Sequence, residues 1–338
     1  MKNIELLEIK GKCVIPVLKK SVEERLNSLK FVNPKVRELC DYAISDDLFL
    51  RAGLVILGCE AVGGHENDVL PAAAAIELLN RSTLVHDDLV DGDSIRYGRE
   101  TIWSKYGEGN AVFVGDFLCA QAFLMILNDK NYTEDVRTQC SLLLSEMYTR
   151  LCMGAIKEEL YQVDYIISKD ECLELIELLT PPITELGMKM GAIVGGGKDA
   201  EVESLANYGK HLGIALFVYN HIEGIFGSKK ASKIRGVDIL NKKINLLLVY
   251  AIENAKNRDR EKLLKILKKR RISNADTNFV IKKIIELGSL TYAKNLIISN
   301  LKKARKNISL FPKSKIKKDL EHLTISMSNL LNENNTTN

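Results

Sequence analysis

Six prolines in 338 residues leave few points where a helix must end, and β-branched residues rarely alternate with polar ones, which excludes a sheet-built domain. The seven cysteines, Cys13, Cys40, Cys59, Cys119, Cys140, Cys152 and Cys172, include no C-x-x-C pair, and several lie inside apolar runs. That excludes a zinc knuckle or disulfide framework and fits core thiols in a reducing compartment. No run of about 18 uncharged apolar residues occurs, and charges interrupt the N-terminal MKNIELLEIKGKCVIPVLKK, so no membrane span or signal peptide is expected and the location is cytoplasmic. No Pro-, Ser- or Gly-rich linker and no internal repeat divides the chain, so 1–330 reads as one domain, with 331–338 as a polar, frayed tail.

What is present is helical periodicity. Apolar residues recur at i, i+3, i+4 and i+7 almost throughout, as in Leu70–Val90 and Cys172–Val194. The fold class is therefore all-α, a bundle of long helices. Its punctuation is Gly63-Gly64 closing one helix, Pro71 in the first turn of the next, Gly92, Gly107 with Gly109, and Gly195-Gly196-Gly197 after a long apolar segment. Net charge is +4, but residues 253–321 hold 20 Lys and Arg against 7 Asp and Glu, leaving the rest acidic. Such a surface is either a set of solvated lysine faces or a patch for anionic membrane or an acidic partner; KLLKILKKRRIS lacks the interleaved aromatics of a nucleic-acid binder.

The chemical signal lies in LVHDDLVDGDSIRYGR at 84–99. On a helix Asp87, Asp88 and Asp91 are three and four apart, so their carboxylates gather near its C-terminal end. Like charges there also oppose the helix dipole, a cost that a hard cation would relieve. Oxygen-only donors suit Mg²⁺, which shares its remaining positions with water and phosphate.

With its flanks, this segment resembles the trans-isoprenyl diphosphate synthases, the polyprenyl synthase family. Their H-D-D-x-x-D is His86 to Asp91, their D-x-x-R-R-G is Asp93 to Gly98, and their glycine-aspartate helix start is Gly115-Asp116. The likeness runs from about 45 to 255. It takes in Arg51 and the helix to Gly64, Leu212-Gly213-Ile214-Ala215, and the loop Gly236-Val237-Asp238-Ile239-Leu240-Asn241-Lys242-Lys243 against G-x-D-L-x-x-G-K. The resemblance implies an isoprenoid-synthase-like bundle around a cavity. Two aspartate motifs would face each other there and hold three Mg²⁺ on an allylic diphosphate, whose ionisation needs no protein nucleophile. By the same resemblance Asp87, Asp88 and Asp91 are catalytic metal ligands. Arg51, Asn80, Arg96, Lys233 and Lys243 bind substrate, although the two lysines also read as solvated charges in a lysine-rich stretch.

The departures cluster on the phosphate side. Leu48 and Phe49 stand where the family has lysine and arginine, Tyr97 replaces the second arginine, and Asn80 stands for His or Gln. Leu179 replaces the lysine of a Lys-Thr pair, with Pro181-Pro182 expected to break that helix. Phe217 replaces a glutamine, and the second motif's aspartates are Asn220, His221 and Gly224. Imidazole suits zinc or copper better than magnesium, so His221 reads as a buried, hydrogen-bonded ring. Glu223 is one position off register, about 100° round the helix, and does not substitute. Ser82 and Thr83, at the family's chain-length positions, either leave room for a product of twenty carbons or more or simply permit close packing.

These residues imply an isoprenoid-biosynthesis protein that keeps an allylic-diphosphate and Mg²⁺ site but has a degraded isopentenyl diphosphate site. It would act as a weakly active or non-catalytic subunit, in a homo- or heterodimer with an intact homologue. The alternatives are a self-sufficient prenyltransferase and a terpene-cyclase-like enzyme. Against the last, Asn220 with Gly224 and Ser228 matches only one ligand position of N-x-x-x-[ST]-x-x-x-E.

Overall fold

The computed structural model describes residues 2–28, 32–45, 49–164, 167–228 and 234–333. Leu48, Lys233 and the tail beyond 333 lie outside the described residues. The chain forms two compact units, the first from 1–148, 183–209 and 305–326, the second from 149–182, 210–304 and 327–338.

In chain order, α1 (Lys2–Gly11), α2 (Ile15–Asn27), α3 (Pro34–Ile44), α4 (Leu50–Ala61) and α5 (Glu66–Asp91) lead to a hairpin of β1 (Ile95–Arg96) and β2 (Arg99–Glu100). Then come α6 (Ile102–Tyr106), α7 (Glu108–Leu127), α8 (Glu134–Asp164), α9 (Lys169–Leu178), α10 (Thr180–Val194) and α11 (Asp199–Phe226). After these follow α12 (Val237–Leu240), α13 (Leu246–Asn254), α14 (Asn257–Leu267), α15 (Asn274–Glu286), α16 (Ser289–Asn307) and α17 (Lys315–Glu333). The expected all-α class holds, the short hairpin apart. Residues 331–333 of the expected tail belong to α17.

The core of the first unit is built on α5. Ala72 to Ala75, strong helix formers with no side-chain entropy to lose, are fully buried together with Leu78 and Leu79. Along α5 lies α7, the one helix among the described residues long and apolar enough to cross a membrane. It buries Ala111, Val114, Leu118, Ala122 and Ile126, one stripe of a packed helix. Helices α4 and α10 meet at backbone distance. A Cβ on Gly58 would lie 2.7 Å from the Met188 carbonyl, and one on Gly191 would run into that of Val55.

Pro71 is not in the first turn of α5, which begins at Glu66, but inside the helix. Proline breaks the i→i−4 ladder there, and the structure fills the gap from outside. The Tyr132 hydroxyl donates to the Asp68 carbonyl at 2.9 Å and accepts from the Ala72 N–H at 3.3 Å. Tyr132→Phe should lower stability by about 1–3 kcal/mol, the cost of leaving buried polar groups unmatched. An unchanged urea midpoint would contradict that role. Further along, α9 stops at Leu178 and α10 starts at Thr180 with both prolines in its first turn, the break that Pro181-Pro182 predicts.

Candidate functional site

In the first unit, α5 ends at Asp91 because Gly92 adopts the left-handed conformation, φ 70°, that closes a helix. Asp87 and Asp91, one turn apart, are exposed. Asp88 turns inward, 5% exposed, where Arg96 Nε donates to its Oδ1 at 2.6 Å. The hairpin delivers that arginine. Tyr97 and Gly98, both at positive φ (52° and 78°), form its two-residue turn, and Arg96 pairs with Arg99 across it. Thr101 Oγ1 and Trp103 Nε1 each donate to the Asp93 carbonyl at 2.8 Å, tying the hairpin to the end of α5. His86 faces α7, where a Cβ on Gly115 would collide with its ring; its Nε2 lies 3.6 Å from Asp116 Oδ1.

Burial raises the pKa of Asp88 to about 6, against the opposing pull of Arg96. A carboxyl that holds its proton more tightly folded than unfolded favours the folded state at acid pH, and that advantage is lost as pH rises from about 4 through 6. Relative to Asp88→Asn, the wild-type chain should therefore lose roughly 2–3 kcal/mol between pH 4 and pH 7. Urea midpoints of both proteins at the two pH values measure it; a pH-independent difference would contradict it.

Upstream, Glu77 of α5 is 1% exposed and accepts from the Ala52 N–H at 2.9 Å, so it caps the start of α4 from another helix. Burial raises its pKa, although Arg81, Arg51 and the helix-start amides pull the other way. Arg81 lies buried over the Phe49 ring, 4.8 Å to the centroid, and donates to the Ala43 carbonyl at 3.3 Å. Arg51 Nε is buried with no hydrogen-bond partner among the described residues. Ser82 is fully buried, and Thr83 donates back to the Asn80 carbonyl at 2.8 Å.

In the second unit, the Phe217 and His221 rings meet edge to face at 4.7 Å. Asn220 is exposed, whereas His221 and Glu223 are each 7% exposed. The Leu246 N–H donates to His221 Nδ1 at 3.1 Å. A Cβ on Gly224 would collide with the Asp238 carboxylate. Leu179 packs against Gly154, its Cδ2 2.9 Å from where a Cβ there would stand. Lys243 is half-buried, and its N–H donates to the Asp238 carbonyl at 2.9 Å. Lys242, in the place of the loop's glycine, takes φ 55°.

Sequence patterning alone did not single out Glu77, Arg81 or Asn245. The first two were detectable as an i, i+4 charge pair inside an apolar run; Asn245 carries no such mark.

A cavity of about 40 Å³ in the first unit is lined by Arg81, Asp88, Arg96, Arg99 and Thr101. A larger one, about 460 Å³, lies between α2, Pro71 and the end of α7, away from the aspartates, and gathers no comparable chemistry. Among the described residues no three His, Cys, Asp or Glu side chains close into a metal-holding group. The donor set still fits Mg²⁺, which is usually held by one or two carboxylates while phosphate and water complete its shell. Asp87 and Asp91 would be those carboxylates.

Residues 33–284 match the model of the polyprenyl synthetase family. The geranylgeranyl diphosphate synthase of Methanosarcina mazei is 30% identical over 304 residues, covering 86% of this chain and 91% of that protein. Among solved structures, the geranylgeranyl pyrophosphate synthetase of Pyrococcus horikoshii superposes with a TM-score of 0.88 at 26% identity, over 97% of this chain and 98% of that one. The geranylgeranyl pyrophosphate synthase of Corynebacterium glutamicum, complexed with isoprenyl diphosphate and magnesium, shares the fold with a TM-score of 0.81 at 19% identity, over 97% of this chain and 98% of that one.

Proposed function

The chain belongs to the polyprenyl synthetase family, and from that premise we propose that it serves isoprenoid biosynthesis as a subunit that binds an allylic diphosphate with Mg²⁺ but condenses isopentenyl diphosphate poorly on its own. An intact homologue would supply the missing half, and the product would be of geranylgeranyl type or longer, as Ser82 and Thr83 allow.

The observation that carries this reading is the fate of two phosphate-side positions. Phe49 is a buried platform beneath Arg81, and Tyr97 is the strained corner of a turn. Both positions, where relatives would present arginine, do structural work instead. Leu48 and Leu179 stand where the family uses lysine; each charge-assisted contact to phosphate contributes about 1.5–3 kcal/mol, so losing those two would weaken isopentenyl diphosphate binding more than roughly 100-fold. The allylic side keeps Asp87 and Asp91 as hard donors and Arg96 held by Asp88. Bound Mg²⁺ would supply Lewis-acid assistance to diphosphate departure. This chain's own residues would position that diphosphate beside the end of α5.

Calorimetry tests the asymmetry. With Mg²⁺ present, geranylgeranyl diphosphate should bind at least about 100-fold more tightly than isopentenyl diphosphate. Equal affinities would overturn the proposal and favour the second reading, a self-sufficient synthase. That alternative draws support from the extent of the match to the Methanosarcina mazei enzyme and from Arg51, whose buried Nε lacks an acceptor among the described residues.

For the charged surface we favour an anionic bilayer. Nine of the sixteen residues from 256 to 271 are Lys or Arg and all nine are exposed, while Leu263, Ile266 and Leu267 anchor α14 from beneath. Of the nine, Lys269 pairs with Asp276 and Lys262 lies over Phe279. Sedimentation with phosphatidylglycerol vesicles that is lost in high salt, and absent with phosphatidylcholine, is the expected result. Equal retention on both lipids would contradict it.

A further inference from the structure

Asn220, His221 and Gly224 occupy the positions of the second aspartate motif, and the second unit shows what they do instead. Gly224 has no side chain, and the space a Cβ there would need is filled by the Asp238 carboxylate. Asn245, fully buried, holds that carboxylate by donating from Nδ2 to its Oδ2 at 2.8 Å. The same amide donates to the His221 carbonyl at 2.9 Å, and its oxygen accepts from the Leu247 N–H at 2.9 Å, capping α13. The next helix-start amide, Leu246 N–H, goes to His221 Nδ1 at 3.1 Å. Both donors and one of the two acceptor positions of the Asn245 amide are thus used.

His221 and Gly224 are thereby closed to metal ligation, which leaves the motif only the neutral amide oxygen of the exposed Asn220, a weak donor for Mg²⁺. An imidazole nitrogen that accepts an N–H has no lone pair left for a metal, and the ring's own proton then sits on Nε2. Imidazole is in any case a poor donor for Mg²⁺. Gly224 offers nothing, and restoring aspartate there would drive its side chain into Asp238.

We infer that the second motif has become a helix-capping lattice joining α11, the 236–245 turn and the start of α13, and that this chain holds metal through the first motif alone, with fewer divalent ions per bound diphosphate than the three that two intact motifs would share. The inference rests on the allylic-site reading of Asp87 and Asp91 given above.

Equilibrium dialysis of the intact chain with Mn²⁺ and inorganic pyrophosphate tests it without any turnover. One or two Mn²⁺ per chain is the expected result. Three would overturn the inference and leave the allylic-site reading standing; none would overturn both. Variants provide the second readout. His221→Ala should lower the thermal midpoint by roughly 2–8 °C without changing the Mn²⁺ count. His221→Asn, whose amide oxygen accepts the same N–H, should recover most of that loss. A folded His221→Ala protein that binds less Mn²⁺ would overturn the inference, because it would show the imidazole contributing to the metal site.

Discussion

Alanine at both Asp87 and Asp91 is expected to reduce affinity for geranylgeranyl diphosphate in the presence of Mg²⁺ by more than about 100-fold, beyond the 10–100-fold that loss of an outer-shell partner costs. The two carboxylates are exposed and one turn apart, so they supply the hard donors without being part of the core. Their removal should leave the fold intact. Calorimetric titration together with a urea melt separates the effects. Retained affinity, or lost affinity accompanied by unfolding, would contradict the assignment.

The second large effect is expected at Asn245, far from those aspartates in sequence. Asn245→Ala removes the cap of α13, one bond to His221 and one to Asp238, and leaves the two oxygens buried without that donor. At about 1 kcal/mol per lost bond plus the desolvation of what remains, the cost should reach about 3–5 kcal/mol. Hydrogen exchange would localise it, with the amide of Leu247 losing protection first. Asn245→Asp should cost at least as much, since it keeps the acceptor for Leu247 but sets a buried carboxylate against that of Asp238. A loss below about 1 kcal/mol for the alanine variant would mean that the lattice contributes little to the second unit.

Much of the fold was legible because helical periodicity and helix ends are local properties. The stretch that became α5, the left-handed Gly92 after it and the interruption at Pro181-Pro182 all follow from residues within a few positions of one another. Pro71 was misplaced for the same reason. Its location inside a helix depends on the hydroxyl of Tyr132, sixty-one residues away, which no local pattern announces.

The candidate site divides likewise. Asp87, Asp88 and Asp91 are visible from spacing, but burial of Asp88 against Arg96 requires the hairpin to fold back, and the hairpin depends on Tyr97 tolerating positive φ. That Phe49 carries Arg81 and that Asp238 fills the space beside Gly224 are long-range facts of packing. Departures from the family's pattern are readable along the chain; what Phe49, Tyr97 and Gly224 touch or shape is readable only in three dimensions.

The decisive measurement is mass-spectrometric product analysis of the purified, folded chain supplied with Mg²⁺, an allylic diphosphate and isopentenyl diphosphate, alone and then mixed with an intact homologue. The predicted result is bound but unextended allylic diphosphate in the first reaction, and elongation in the second faster than the homologue achieves alone. Efficient elongation by the isolated chain would contradict the partner-subunit proposal and make this protein a complete synthase with a rebuilt phosphate site.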